Sequence, residues 1–244
     1  MNTSNNTLRL LFATFAIACT VACAFAQTSA DIDRLRMHAD AGRDERALRT
    51  LLQSANSGNI DAQRATGEAL LNHPDPSRRN EALQWLERVA TQDDLRAMFA
   101  LGKAYFAGDT TRRPDYPTAH RWLSHAHRKG SPHAAYYLGL MHKSGYGVSI
   151  NMSIAMKHFQ FAADQNIAEA MYELGNAHAD SVDEDRREAM RWYLRAAALE
   201  YAPAIQEIAN AYARGDSMLP QSDLQASMML KAIEHALKHR KAAP

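Results

Sequence analysis

Eleven histidines occur among the 244 residues, and histidine side chains could hold a metal ion. His120, His125 and His127 share one predicted helix, but His120 and His127 lie two turns apart and His125 points elsewhere, so they cannot close on one ion. His235 and His239 form an i, i+4 pair that could chelate, yet they have neither the glutamate of a metalloprotease motif nor an identifiable third ligand. The sequence therefore predicts no metal site and no cofactor.

Two more histidines occupy positions that hold tyrosine elsewhere in the chain. His142 and His178 correspond to Tyr105 and Tyr212 when the chain is divided by its internal period. Such histidines could face one another across stacked neighbours. A histidine in this position more often replaces tyrosine as a half-buried residue with one hydrogen bond, and we favour that interpretation.

Covalent catalysis finds no support in the sequence. Both cysteines lie within the first 26 residues, and no Gly-x-Ser-x-Gly elbow or acid–base set follows them. Gly145 and Gly147 fall in a turn between predicted helices and follow no strand, so they do not form a phosphate loop. We therefore predict no catalytic residues and no enzymatic activity.

A repeated sequence motif indicates the helices that position these residues. Its leading alanines step by 34 to 37 residues: Ala62, Ala97, Ala134, Ala170 and Ala204. A period in this range is typical of stacked helix pairs. A glycine recurs five residues after the first four of these alanines, at a cost of about 1 kcal/mol relative to alanine inside a helix. We therefore expect a close helix approach there, with the tryptophan of the partner helix filling the space beside it.

The repeated pattern Ala-x-x-x-Leu-Gly-x-x-Tyr-x-x-Gly, followed by a second helix that ends in Ala-Ala, resembles the Sel-one-like repeat. This family belongs to the tetratricopeptide-like α/α solenoids. The resemblance covers about residues 59–236 and is best over 131–166. It implies an all-α fold, a right-handed α/α superhelical solenoid of about five helix-pair repeats with an N-terminal capping helix pair. It also implies a role as an adaptor in protein assemblies.

The predicted domains follow from this period and from the composition of the first residues. They are a signal peptide at 1–26, a capping helix pair at 27–58, repeats at 59–93, 94–130, 131–166, 167–200 and 201–236, and a basic tail at 237–244.

The first 26 residues have the layout of a secretory signal peptide. Arg9 precedes an apolar run too short for a comfortable membrane span, and Ala24-Phe25-Ala26 forms a small-x-small cleavage site. We expect cleavage after Ala26, a mature protein without cysteine, and a periplasmic or secreted location. A lipid anchor at Cys23 is the second interpretation, although Thr20 stands where such signals usually carry leucine.

Charge excludes two classes of partner. Without Arg9 the chain has 27 basic and 27 acidic residues, whereas a nucleic-acid or anionic-membrane surface shows a basic excess. The remaining candidate is a protein or peptide bound on the concave face of the solenoid. Helical geometry places aromatic residues and their charged neighbours on one side of successive first helices: Phe99, Lys103, Tyr136, Tyr137, Lys143, Tyr172 and Glu173. Aromatic residues at the second position after each leading alanine could instead pack against the preceding repeat.

The sequence thus favours an exported, non-enzymatic bacterial adaptor in the cell envelope, either an envelope regulator or an immunity protein to a secreted toxin. The alternative is an enzyme that acts on cell-wall peptides or β-lactams, since some secreted relatives of the repeat have been linked to such ligands. Those relatives resemble a cysteine-stapled version of the fold, and the predicted mature chain has no cysteine.

Overall fold

The computed structural model describes residues 28–110, 112–179, 183–215 and 221–242, and these residues form twelve α-helices, one 3₁₀ helix and no strand. The predicted signal peptide and the alternative lipid anchor at Cys23 lie outside the described residues. The all-α class predicted from the period is confirmed. Among the described residues, no helix combines the length and the apolar character that crossing a bilayer requires.

The helices divide between two compact units, with the boundary between Val89 and Ala90. The first unit holds α1 (Ser29–Ala39), the 3₁₀ helix (Asp40–Gly42), α2 (Glu45–Asn56), α3 (Ile60–Leu70) and α4 (Pro76–Ala90). The second unit holds α5 (Leu95–Ala107), α6 (Tyr116–Arg128), α7 (Pro132–Ser144), α8 (Met152–Asp164), α9 (Ala168–Ala179), α10 (Asp183–Ala197), α11 (Ala202–Arg214) and α12 (Asp223–Ala242).

In the first unit, polar caps start the helices and one apolar cluster joins them. The side chains of Asp44 and Asn59 accept hydrogen bonds from the first-turn amides of α2 and α3. Ile32, Leu51 and Leu70 are fully buried in a core shared by α1, α2 and α3. Burial of this apolar stripe stabilises the three helices against one another.

In the second unit, helices pack as pairs and each pair packs on the next. The pairs are α5 with α6, α7 with α8, α9 with α10 and α11 with α12; α6 contacts α7, α8 contacts α9, and α10 contacts α11. Phe159, Leu174 and Trp192 belong to the apolar core that runs through the last three pairs. Such nearest-neighbour packing is the arrangement of a helical solenoid.

Local signals set the ends of these helices as predicted. Ser131 caps α7 through a hydrogen bond from the amide of Ala134, and Pro132 occupies the first helical position. Gly145 ends α7 in the left-handed conformation, with φ of 74°. Asn166 has a φ of 62° after α8, in the position that Gly130 fills after α6 with a φ of 93°.

The repeated glycines do lie where the two helices of a repeat approach closely, but the prediction that tryptophan packs beside them was wrong. A methyl group added at Gly102 would lie 2.6 Å from Cγ of Leu123, and one added at Gly139 would lie 2.5 Å from Cε1 of Phe159. The side chain that contacts each glycine therefore belongs to the residue after the tryptophan position, not to the tryptophan. These residues are almost completely buried and lock the two helices of a repeat together.

Candidate functional site

Five aromatic side chains contact one another in the second unit and form a surface that we call the aromatic patch: Phe99, Phe106, Tyr116, Tyr137 and Tyr146. Phe106 is the centre of the patch, with ring centroids 5.2 Å from Tyr137, 5.6 Å from Tyr146 and 5.7 Å from Tyr116. The rings of Tyr116 and Tyr146 stack with centroids 5.0 Å apart. These distances lie in the range of favourable aromatic pairs. All five side chains are partly exposed.

Three helices and one loop bring the five rings together. Phe99 and Phe106 lie on α5, and Tyr137 lies on α7. Tyr116 is the first residue of α6, where Asp115 caps the helix through the amide of Thr118. No single helix could form this surface.

The fifth ring comes from a loop that glycine holds against α6. Tyr146 lies between Gly145 and Gly147, whose φ angles of 74° and 70° favour glycine. A methyl group added at Gly147 would lie 2.5 Å from Cβ of Tyr116, so the loop backbone rests directly on that tyrosine. The result is a Tyr146 ring that is 38% exposed and stacked on Tyr116.

Two of the predicted binding residues, Phe99 and Tyr137, belong to the aromatic patch. Their ring centroids lie 5.9 Å apart, and Phe99 also contacts the ring of exposed His133. Tyr116 and Tyr146 are not among the binding residues predicted from the sequence. Their signals were the N-cap preceding Tyr116 and the two glycines flanking Tyr146.

Tyr136 and Tyr172 lie beside the core instead. The Tyr136 ring packs on Phe159 of the second helix of its own repeat, with centroids 6.1 Å apart. Tyr172 packs on Tyr193 and Tyr201, with centroids 5.6 Å and 5.5 Å away. The second position after the leading alanine therefore serves packing at these two sites: Tyr136 packs within its own repeat, and Tyr172 packs within its own repeat and against the following one.

The predicted set also contains three charged residues, of which Glu173 acts on Tyr136. Lys143 of α7 forms an ion pair and hydrogen bond with Glu173 of α9. Lys103 is exposed on α5. The pair joins the first helices of two successive repeats, so Glu173 neutralises one cation of this region.

Burial changes the acid–base behaviour of the two adjacent tyrosines. Burial raises the pKa of Tyr137, and the carboxylate of Glu169 raises it further. The pKa of Tyr136 is raised by burial first and then by Glu173. Both hydroxyls therefore stay protonated at neutral pH and can donate hydrogen bonds to an acceptor.

The helices that carry the patch are basic. Helices α5 to α8 contain six lysines and arginines, Arg96, Lys103, Arg121, Arg128, Lys143 and Lys157. The only carboxylate in these four helices is Asp164, the last residue of α8. A chain with balanced total charge thus carries a basic excess on these four helices, the first two of which are capped by the carboxylates of Asp94 and Asp115.

The structure corrects the interpretation of His142. Its Nδ1 is buried without a hydrogen-bond partner, and its ring stacks on His158 with centroids 5.8 Å apart. His142 is half-buried as expected, but it contacts His120 and His158 and not His178, so the pairing of His142 with His178 is not found and Nδ1 lacks the expected hydrogen bond. His178 instead has Nδ1 3.7 Å from the carboxylate of Asp185.

Metal binding was not predicted, and the arrangement of ligand-type side chains gives it no site in the described part of the chain. No group of three or more histidine, cysteine, aspartate or glutamate residues there could hold a metal ion. The side chains of His235 and His239 lie outside the description.

Comparison with known proteins places this geometry in a family. The model of the Sel1 repeat matches residues 61–94, 95–131, 132–167 and 168–201, which together exceed half of the chain. An uncharacterized protein of Neisseria meningitidis serogroup B is 27% identical over 135 residues, which are 55% of this chain and 28% of that protein. The chain thus spans less than a third of that relative.

Solved structures show the same fold. A Sel1 repeat protein from Oxalobacter formigenes superposes with a TM-score of 0.71 at 24% identity, over 86% of this chain and 88% of that one. The protective antigen c5321 of uropathogenic Escherichia coli, which displays an SLR fold, gives a TM-score of 0.65 at 27% identity, over 78% of this chain and 41% of that one. The immunity protein Pa5087 from Pseudomonas aeruginosa gives 0.55 at 14% identity, over 84% and 81%.

Each matched repeat coincides with one helix pair, from α3 with α4 to α9 with α10. The lengths of the matched repeats agree with the spacing of the leading alanines. This chain belongs to the Sel1 repeat family, whose members are all-α solenoids that mediate protein–protein interactions.

Proposed function

We propose that this protein is a non-enzymatic scaffold that binds a protein or peptide partner through the aromatic patch. The observation that carries the proposal is the gathering of five partly exposed rings from three helices and one loop of the second unit. Aromatic side chains that are held rigidly by their neighbours are effective anchors, because they bury large areas at a small cost in conformational entropy. The glycine-held Tyr146 and the central Phe106 are the strongest anchors.

The charge around the patch points to the chemistry of the partner. Six cations and one carboxylate on α5 to α8 favour a segment with apolar anchors flanked by aspartate or glutamate. Arg96 and Lys103 are exposed cations on the helix that supplies Phe99 and Phe106. Electrostatic complementarity of this kind raises the association rate and selects the partner more than it adds affinity.

The cellular setting that we propose is the bacterial envelope, reached through cleavage after Ala26. The support is the sequence of residues 1–26 with its apolar run and small-x-small site. Within that setting an envelope regulator or an immunity protein to a secreted toxin fits a protein-binding solenoid. The fold shared with the Pseudomonas immunity protein is compatible with the second role.

Affinity capture from the envelope fraction tests the proposal when wild-type and variant proteins are compared. Phe106→Ala and Tyr146→Ala should each weaken a captured partner by about tenfold or more, because removal of a central aromatic anchor costs on the order of 2 kcal/mol. Leu194→Ala on α10 is the matched control, since Leu194 is also a large apolar residue and is 46% exposed.

The outcome separates the candidate functions. If wild-type protein and both patch variants bind the captured partner with equal affinity, the aromatic patch is not the binding surface. Turnover of a cell-wall peptide or a β-lactam by the purified protein would support the enzymatic alternative. Denaturation curves of each variant distinguish lost binding from lost folding.

A further inference from the structure

Four histidines meet in the second unit where α6, α7 and α8 pack, and we call them the histidine cluster: His120, His127, His142 and His158. His120 and His127 lie on α6, His142 on α7 and His158 on α8. The ring centroid of His142 is 6.1 Å from His120 and 5.8 Å from His158, and the His158 centroid is 5.0 Å from His127. The rings form a continuous row that joins two successive repeats.

The cluster leaves buried nitrogen atoms without partners. Nδ1 of His127 and Nδ1 of His142 are buried and have no hydrogen-bond partner. The same is true of Nε1 of neighbouring Trp122. The exposed ring of Phe161 closes over His127 with centroids 4.8 Å apart. A proton added to either histidine nitrogen would create a buried N–H group that no acceptor satisfies.

The same positions are apolar or aromatic elsewhere in the chain. The position of His158 is tryptophan in three repeats, Trp85, Trp122 and Trp192. The position of His127 is alanine in three repeats, Ala90, Ala163 and Ala197, and that of His142 is Tyr105 or Tyr212 in two. The solenoid therefore packs at these sites without histidine, and stable packing alone does not require the cluster.

No carboxylate on the surrounding helices balances a charge placed in the cluster. Helices α5, α6 and α7 contain none, and Asp164 of α8 lies at the end of that helix, where it accepts a hydrogen bond from Gln160. On neighbouring α9, Glu173 is paired with Lys143, Glu169 acts on Tyr137, and His178 lies against Asp185. The remaining charges on α5 to α8 are cations: Arg96, Lys103, Arg121, Arg128 and Lys157.

These surroundings favour the neutral imidazoles. Burial first, and then His127, His142 and His120, lower the pKa of His158 from its ordinary 6.5 to about 4. The pKa of His120 is lowered by burial and by His142, and burial lowers the pKa of His127. Between pH 6.5 and 4 the unfolded chain therefore binds more protons than the folded one, so stability is complete above pH 6.5 and decreases as the pH falls.

We propose that the histidine cluster is an acid-sensitive joint: its uncharged rings hold α6 against α7 and α8 at neutral pH, and protonation in mildly acidic solution loosens these three helices. Like charges would then meet in the row, in a region that already has a basic excess. Tyr116 and Tyr137 of the aromatic patch lie on α6 and α7, so acid would also release a bound partner, a consequence that rests on the proposed function.

The joint is tested by replacing its histidines with the residues of the other repeats. Thermal unfolding of wild-type protein is compared at pH 7.0 and 5.0 with that of the variant His127→Ala/His142→Tyr/His158→Trp. We expect the melting temperature of wild-type protein to fall by about 3 °C or more beyond the fall of the variant. His125→Gln is the matched control, because His125 is exposed on the same helix and should leave the wild-type difference unchanged. An equal fall in wild-type protein and triple variant would overturn the proposal.

A second measurement decides the question if the triple variant does not fold. Proton NMR titration of the histidine ring signals in wild-type protein should give His158 a midpoint below pH 5, assigned by the loss of its signal in the single variant His158→Trp. A midpoint at or above pH 6.5 would show that the folded protein accepts the charge freely, and the joint would be excluded. Neither measurement needs a partner, so a failed joint is distinguishable from a failed binding function.

Discussion

Gly139 shows how a single residue sets the distance between the helices of a repeat. Its missing side chain leaves room for Phe159, which is 1% exposed and packs directly on the α7 backbone. The glycine costs about 1 kcal/mol in helix propensity, and the packing that it permits offsets that cost. Gly67, Gly102 and Gly175 repeat the arrangement with Leu86, Leu123 and Tyr193.

Gly139→Ala should therefore destabilise the protein although alanine is the better helix former. The added methyl group would lie 2.5 Å from Cε1 of Phe159, so the buried ring must move. Overpacking of about 3 kcal/mol against a gain of about 1 kcal/mol leaves an expected loss of about 2 kcal/mol in the free energy of unfolding. Urea denaturation measures it, with Ser144→Ala at the exposed end of the same helix as control. An unchanged midpoint for Gly139→Ala would show that the site relaxes freely.

The sequence could not predict which residue packs against the glycine, because the two candidates are neighbours in the chain. Trp122 and Leu123 are adjacent in the chain, and adjacent helical residues point about 100° apart. The repeat pattern marks both positions equally, so it cannot say which of the two faces the glycine. The tertiary packing decides it in favour of Leu123.

At the scale of helices and loops, the aromatic patch could be predicted in part. The angular position of residues on single helices identified Phe99 and Tyr137. Tyr116 and Tyr146 could not be identified in this way, because their stacking depends on the path of the loop after α7. The histidine row has the same origin, since its contacts join three helices.

The ion pair of Lys143 and Glu173 is the polar link between the first helices α7 and α9. Its side chains are 35% and 14% exposed, whereas the pair of Lys129 and Asp93 is 48% and 72% exposed. We expect a double-mutant cycle on Lys143 and Glu173, with alanine as the substitute, to give a coupling of about 1 kcal/mol in the free energy of unfolding. The exposed pair should give about 0.2 kcal/mol.

Salt provides the check on that interpretation. Because about 1 M salt shortens the screening length to about 3 Å, the larger coupling should decrease in it without vanishing. Equal couplings for the two pairs would show that partial burial does not strengthen the link between α7 and α9.

At the scale of the whole molecule, the fold was predictable because the same packing of one helix pair on the next recurs along the chain. Each helix pair of the second unit contacts its neighbours in the chain, so a sequence period translates directly into a structural one. The distribution of charge does not follow the period. The basic excess on α5 to α8 is a property of two repeats, and it would be invisible in the balanced total of the chain.

Residues 1–26 are predicted from the sequence to be a signal peptide, which would set the compartment in which the protein meets a partner. We expect the protein expressed in a bacterial host to be recovered from the periplasm or the medium with a mass that begins at Gln27, because Ala24 and Ala26 form the small-residue site that signal peptidase requires. Ala26→Asp should leave the uncleaved precursor in the cell. Cys23→Ala should leave the mature mass unchanged, whereas a lipid anchor at Cys23 would add an acyl mass to the wild-type protein and be lost in this variant. Intact-mass spectrometry of the fractions thus distinguishes a soluble exported scaffold, free to meet a secreted partner, from one held at the membrane.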